Sequence, residues 1–131
     1  MQLTYSSSRR ITADAFIDVL HRSTLAQRRP VDDAPRIQGM LDNSNLLVSA
    51  WHEDKLIGIA RSMTDFHYAC YLSDLAVDED YQCMGVGKAL LRETQNALQP
   101  DTKLILLAAP AASTYYGKVG FFNHSGCWVL G

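Results

Sequence analysis

LSDLAVDEDYQCMGVGKALL, residues 72–91, passes from a strand-like stretch through an acidic turn into an apolar helical period, with Gly85 and Gly87 at the join. Past the join, Val86, Ala89, Leu90, Thr94, Ala97 and Leu98 fall on one helical face, and Gln99-Pro100-Asp101 ends the helix. A helix start leaves backbone N–H groups unpaired and carries partial positive charge, so a glycine-bearing turn before it suits an anion. Two phosphate motifs fail here at named positions. A P-loop needs a glycine where Gln82 stands and a hydroxyl where Ala89 follows Lys88. A dinucleotide fingerprint needs a third glycine where Leu90 stands. What remains is Gln82-x-x-Gly85-x-Gly87, a pattern that a purely structural strand-to-helix turn also uses.

Working outward, Leu46–Trp51 and Leu56–Met63 are apolar runs joined by His52-Glu53-Asp54-Lys55, which predicts a β-hairpin. A third run from His67 to Val77 predicts a longer strand beside it. Toward the N-terminus, Gln2–Ser6 reads as an edge strand. Thr12 caps a helix carrying Ala15, Phe16, Val19 and Leu20 that fades near Thr24, and Pro30 and Pro35 precede a second short helix ending near Leu41. Downstream, Lys103–Pro110 (KLILLAAP) is continuously apolar and predicts a central strand buried on both faces. A short helix from Ala111 to Lys118, and one or two closing strands made by Phe121-Phe122 and Cys127–Leu130, complete the order β, α, α, β, β, β, α, β, α, β. This predicts one α/β (α+β) domain over residues 1–131, built on a mixed sheet with a right-handed strand–helix–strand crossover.

Composition narrows the function classes. The 131 residues carry a net charge of −2, with both signs spread along the chain, so no basic field favours nucleic acid or an anionic membrane. No window approaches the ~20 apolar residues of a bilayer span, and MQLTYSSSRR lacks a signal-peptide core, so the expected location is cytoplasmic. Cys70, Cys83 and Cys127 form no C-x-x-C pair, and His52 lacks a second histidine four residues on, so no metal site is expected. Cys83 sits in the glycine loop with no histidine near it in sequence, and reads as an incidental loop residue rather than a nucleophile.

Together with TYYGKVGFF (114–122), the opening stretch resembles the acetyl-CoA-binding core of the GNAT superfamily of N-acetyltransferases, across roughly Leu72–Phe122. The resemblance implies a GNAT-like acyl-CoA N-acyltransferase fold: a central, mostly antiparallel sheet with one parallel crossover pair and helices on both faces. It implies that Gln82, Gly85, Val86, Gly87 and Lys88 wrap the coenzyme's diphosphate with main-chain N–H groups. Leu75, Ala76 and Val77 match the segment whose backbone lies along the pantetheine arm and meets the acetyl carbonyl. Tyr116, in the family's Y-x-x-x-G-F pattern, would protonate the departing thiolate, while Tyr115 would be a packing residue.

Three departures from the family pattern matter. The position where many members carry a glutamate or water-binding histidine holds Tyr71, with Ser73 two residues on. Deprotonation is therefore left open among water held by Tyr71 or Ser73, a carboxylate from Asp65 or Asp74, and amine already free in solution. No asparagine lies in residues 108–112, which leaves Ser113 as the side-chain contact to coenzyme A from that segment. The tail FFNHSGCWVLG is short for the family's last hairpin, so the acceptor side is expected to be open or completed in a homodimer. Trp51, Phe66, Tyr68 and Tyr71 are candidates for an aromatic acceptor pocket, and Arg28 or Arg29 for meeting an acidic group on the substrate. The expected activity is acetyl transfer from acetyl-CoA to a primary amine, favouring a small molecule, by direct attack in a ternary complex. The alternatives are a protein N-terminal or lysine acceptor, a non-catalytic acyl-CoA-binding module, and a nucleotide-binding domain.

Overall fold

In the computed structural model, which describes residues 2–131, the Thr12 hydroxyl accepts the N–H of Ala15 and starts α1 (Ala13–Arg22). Thr24 takes a left-handed backbone and turns the chain into a single 3₁₀ turn, Leu25–Arg28. The Asp33 carboxylate then accepts the N–H of Arg36 and starts α2 (Ala34–Asp42). Both helices bear an apolar stripe, and Phe16, Val19, Leu20, Ile37 and Leu41 are buried in one core. Each such side chain contributes about 1.5–3 kcal/mol on leaving water.

Five strands form one sheet in the order β1 (Thr4–Ser6), β2 (Leu46–His52), β3 (Lys55–Thr64), β4 (Ala69–Val77), β5 (Lys103–Ile105). The first four pair antiparallel, and β4 with β5 is the parallel pair. The amphipathic helix α3 (Val86–Asn96) crosses between them on the face opposite α1 and α2. Its Val86, Leu90 and Leu91 are buried with Val48, Ile57, Cys70 and Leu72 in the second core. The mixed sheet with helices on both faces matches the expected architecture.

Three expectations need correction. KLILLAAP is not a central strand: β5 stops at Ile105 on the sheet edge, and Ile105 and Leu107 are about half exposed. An apolar run reports hydrophobicity, not the number of neighbours the topology supplies. Phe121-Phe122 and Cys127–Leu130 form no strands among the described residues; Phe122, Trp128, Val129 and Leu130 lie exposed. The expected helix from Ala111 to Lys118 divides into a 3₁₀ turn, Pro110–Ala112, and a four-residue α4, Tyr115–Lys118.

Candidate active site

Strand β4 changes character at Ser73. Cys70 and Leu72 point into the α3-side core, whereas Asp74 and Ala76 point toward α1 and α2. Strict alternation would keep all four on one face, so one extra residue stands between them. The pairing with β3 identifies it. Leu72 lies opposite Ser62 and Asp74 opposite Arg61, which leaves Ser73 as a β-bulge. On the other side, β4 pairs with β5 only from Ala69 to Tyr71. Beyond that point, residues 73–77 have no strand partner on the β5 side among the described residues. A row of main-chain groups is thereby left available to an extended ligand.

The free edge leads into the glycine loop. Asp78 ends β4, donates its N–H to the Ile57 carbonyl, and caps the 3₁₀ turn Glu79–Tyr81 by accepting the N–H of Asp80. Burial pushes the Asp78 carboxyl up, but the Asp80 N–H and the Arg22 guanidinium bonded to it, with Lys55 nearby, hold it below the usual carboxylate range. The Gln82 side-chain amide donates to the Val77 carbonyl at 3.1 Å, binding the loop to the strand end. Gly85, at φ 79°, then turns the chain into α3. A Cβ there would meet nothing within 4 Å, so glycine serves the left-handed backbone and leaves open space above the loop.

Where α1 and α2 have capping side chains, α3 has none. The N–H groups at the start of α3 are therefore unsatisfied within the helix, beginning with Val86, Gly87 and Lys88, and the helix dipole adds positive potential. Such a cradle fits a diphosphate. Gly87 meets a different need: a Cβ there would lie 3.0 Å from the Tyr115 hydroxyl and 3.9 Å from Val77. Tyr115 packs against the α3-side core, and its phenol reaches the first turn of α3, a contact that residue spacing alone does not reveal.

Tyr116 follows in α4, edge-on to Tyr115 with ring centres 5.3 Å apart and to Phe121 at 5.4 Å. Burial raises the phenols of both tyrosines, and proximity to Tyr115 raises Tyr116 further. Tyr116 therefore stays protonated through neutral pH, the state a proton donor needs.

The remaining residues expected at the site separate clearly. Leu75 and Val77 pack against the α3-side core and Ala76 is buried on the other, so their backbones rather than their side chains face the opening. Ser113 is exposed, closing the 3₁₀ turn before α4. Tyr71 is exposed on the face opposite Cys70 and Leu72. The Ser73 hydroxyl accepts from Arg61 at 2.9 Å.

Asp74 is not a solvated base. It is buried, with one carboxylate oxygen bonded to Arg29 and the other to Arg61. Arg29 is accordingly committed inside the protein and does not present itself to a substrate. Asp65 organises a turn by accepting the N–H groups of His67, Tyr68 and Ala69, which lower its carboxyl to about 2. So weak a base does not suit amine deprotonation. The four aromatic candidates are not brought together. Trp51 is a core residue whose indole donates to the Ser49 hydroxyl, opposite Leu56, while Tyr71 pairs with Met63 near the other end of β3. Phe66 leans on the α3-side core, and Tyr68 is exposed beneath the Lys103 ammonium.

The fourth strand leaves its neighbour beside an uncapped, glycine-opened helix start, an arrangement that suits an extended ligand ending in a diphosphate. The family model described as an acetyltransferase (GNAT) domain matches residues 24–126. An uncharacterized N-acetyltransferase, ycf52-like, from Prochlorococcus marinus is 31% identical over 127 residues, covering 92% of this chain and 69% of its own length. The uncharacterized N-acetyltransferase ycf52 of Pyropia yezoensis is 28% identical over 94 residues, covering 67% of this chain. This chain spans 54% of that relative. Among solved structures, a probable acetyltransferase from Staphylococcus aureus superposes with a TM-score of 0.77 at 18% identity, covering 98% of this chain and 99% of its own. The chain belongs to the GNAT family and is an acetyltransferase of that type, a family whose cosubstrate is acetyl-CoA.

Proposed function

We propose that the chain moves an acetyl group from acetyl-CoA to a primary amine, a small molecule rather than a protein, by direct attack within a ternary complex. One observation carries the reading: the unpartnered Ser73–Val77 edge of β4 runs into the uncapped start of α3. The main-chain N–H groups of Val86, Gly87 and Lys88 hold the diphosphate, with Gly85 leaving room for it and the Lys88 ammonium adding charge. Gln82, whose own N–H donates to the Glu79 carbonyl, serves the loop by tying it to the end of β4 through its side-chain amide. The backbone of Leu75, Ala76 and Val77 lies along the pantetheine arm and donates to the acetyl oxygen, stabilising the negative charge that gathers there. Ser113 supplies a hydroxyl from the α4 side.

Tyr116 gives its proton to the departing sulfur. Tyr71 and Ser73 hold the water through which the amine loses a proton; the Ser73 hydroxyl oxygen accepts from Arg61 and keeps its own proton to donate. Holding the two reactants side by side supplies most of the acceleration.

The test incubates the protein with acetyl-CoA and a panel of arylalkylamines, polyamines, amino sugars and lysine-bearing peptides, reading products by mass spectrometry. Acetylated small amines support the reading. Transfer to the peptides alone moves the acceptor to the protein class. Coenzyme binding with no transfer to any amine leaves a binding module, and ATP or NAD displacing the coenzyme points to a nucleotide site.

A further inference from the structure

The bulge that frees half of β4 is held by an unusual device. Two guanidinium groups converge on one buried carboxylate: Arg29 bonds to one oxygen of Asp74 through Nε, and Arg61 to the other. The same two arginines hold the bulge residue. Arg29 Nη2 donates to the Ser73 carbonyl at 2.7 Å, and Arg61 Nη2 donates to the Ser73 hydroxyl at 2.9 Å. Arg61 Nη1 continues to the Ser44 hydroxyl at 2.9 Å and the Met40 carbonyl at 3.3 Å, at the end of α2. One carboxylate thus ties β3, β4, the end of α2 and the segment between the two N-terminal helices.

Burying three charges is a poor way to gain stability, because apolar side chains of similar volume often do as well or better. What the arrangement supplies is geometry. A bulge leaves main-chain groups without ladder partners, and here the Ser73 carbonyl finds its partner in Arg29. The three charged residues are not equivalent. Asp74 and Arg61 are almost wholly enclosed, whereas the Arg29 side chain keeps 20% of its surface exposed and arrives from the extended residue that closes the 3₁₀ turn Leu25–Arg28. Removing Arg29 leaves the Arg61–Asp74 pair in place.

We propose that Arg29 is a positioning residue: its fork across Ser73 and Asp74 fixes the bulge, and so sets where the free edge of β4 presents its backbone to the pantetheine arm. This rests on the coenzyme reading given above. It also assigns Arg29 a task that the acceptor-recognition expectation did not contain.

Calorimetry on the full chain with two probes tests it: acetyl-CoA, and 3′-phospho-ADP, which keeps the phosphates and lacks the arm. Wild type should bind both. Arg29→Ala should weaken acetyl-CoA by about 10-fold, the scale of a lost charge-assisted hydrogen bond. It should change 3′-phospho-ADP by less than about 2-fold, since the glycine loop is a separate site. Arg29→Lys retains a charge for Asp74 but cannot span both partners, and should recover part of the loss. Should Arg29→Ala fail to fold, Arg29→Lys carries the test through the same selective loss at acetyl-CoA. Unchanged binding, or equal weakening of both probes, overturns the proposal. Wild type that binds neither probe overturns the coenzyme reading instead.

Discussion

At Cys70 and Tyr71, β4 has a strand on each side and its backbone is consumed by the sheet; past the Ser73 bulge, from Asp74 to Val77, it has β3 alone. The first half is held by ordinary ladder bonds and by the Asp65 turn that leads into it. The second half is held by buried charge at the bulge and by Asp78 and Gln82 at its end. The difference teaches that an open edge in a sheet has to be supported from behind. Here that support comes from side chains on the α1 and α2 face, leaving the β5 side clear.

The largest effect should come from the chemistry that the open half serves. Tyr116→Phe is expected to lower kcat by about 10²- to 10⁴-fold with the acceptor found in the amine panel, while acetyl-CoA affinity measured by calorimetry stays near wild type. Because burial raises this phenol above its ordinary value of about 10, the donor loses its proton only at still higher pH. A pH profile of kcat should therefore show no Tyr116-dependent fall below pH 10; a fall centred near pH 8 that vanishes in Tyr116→Phe would break the assignment.

Next comes the support itself. Asp74→Ala leaves two guanidinium groups facing each other without their carboxylate and should cost about 3–5 kcal/mol in urea unfolding. A cost below about 1 kcal/mol, the range of an exposed pair, would erase the contrast between the two halves. Gly85→Ala forces a side chain into a left-handed backbone and should cost about 1–2 kcal/mol. Its effect should appear in acetyl-CoA affinity as well as in stability, since the substituted residue begins the uncapped turn of α3.

The smallest effect sharpens the description of the first half. Asp65 has a folded value of about 2 against 3.8 as its ordinary value, so its contribution is complete above pH 3.8 and fades as pH falls toward 2. The difference in thermal midpoint between wild type and Asp65→Ala should be present at pH 6 and shrink between pH 4 and pH 2. A difference that persists unchanged at pH 2 would show that the three N–H bonds to its carboxylate are not its source.

Much of this frame was readable from local pattern. The β2–β3 hairpin, the caps at Thr12, the run into Val77 and the glycine start of α3 are all short-range signals, and each lies within a residue or two of its expected place. The bulge was not readable. Ser73-Asp74 looks like polar punctuation in an alternating strand, and only the arrival of Arg29 and Arg61, 44 and 12 positions from Ser73 in sequence, makes it a buried junction. The same limit explains β5 and the tail. KLILLAAP and CWVL carry the apolar content of strands, but strand partners are supplied by the topology, and on this side of the sheet the ladder ends at Ile105. Within the candidate site, the glycine loop was legible because backbone geometry restricts residue type. The reach of Tyr115 toward Gly87 was not, because nothing in the spacing of 28 residues links them.

That last contact has an evolutionary consequence. With a phenol oxygen 3.0 Å from where a methyl group would sit, alanine at 87 obliges the Tyr115 ring to give by a few tenths of an ångström, so the choices at 87 and 115 are coupled. In a library randomised at both, alanine at 87 should survive mainly beside phenylalanine at 115, where the obstructing oxygen is gone, and glycine should dominate wherever tyrosine is kept.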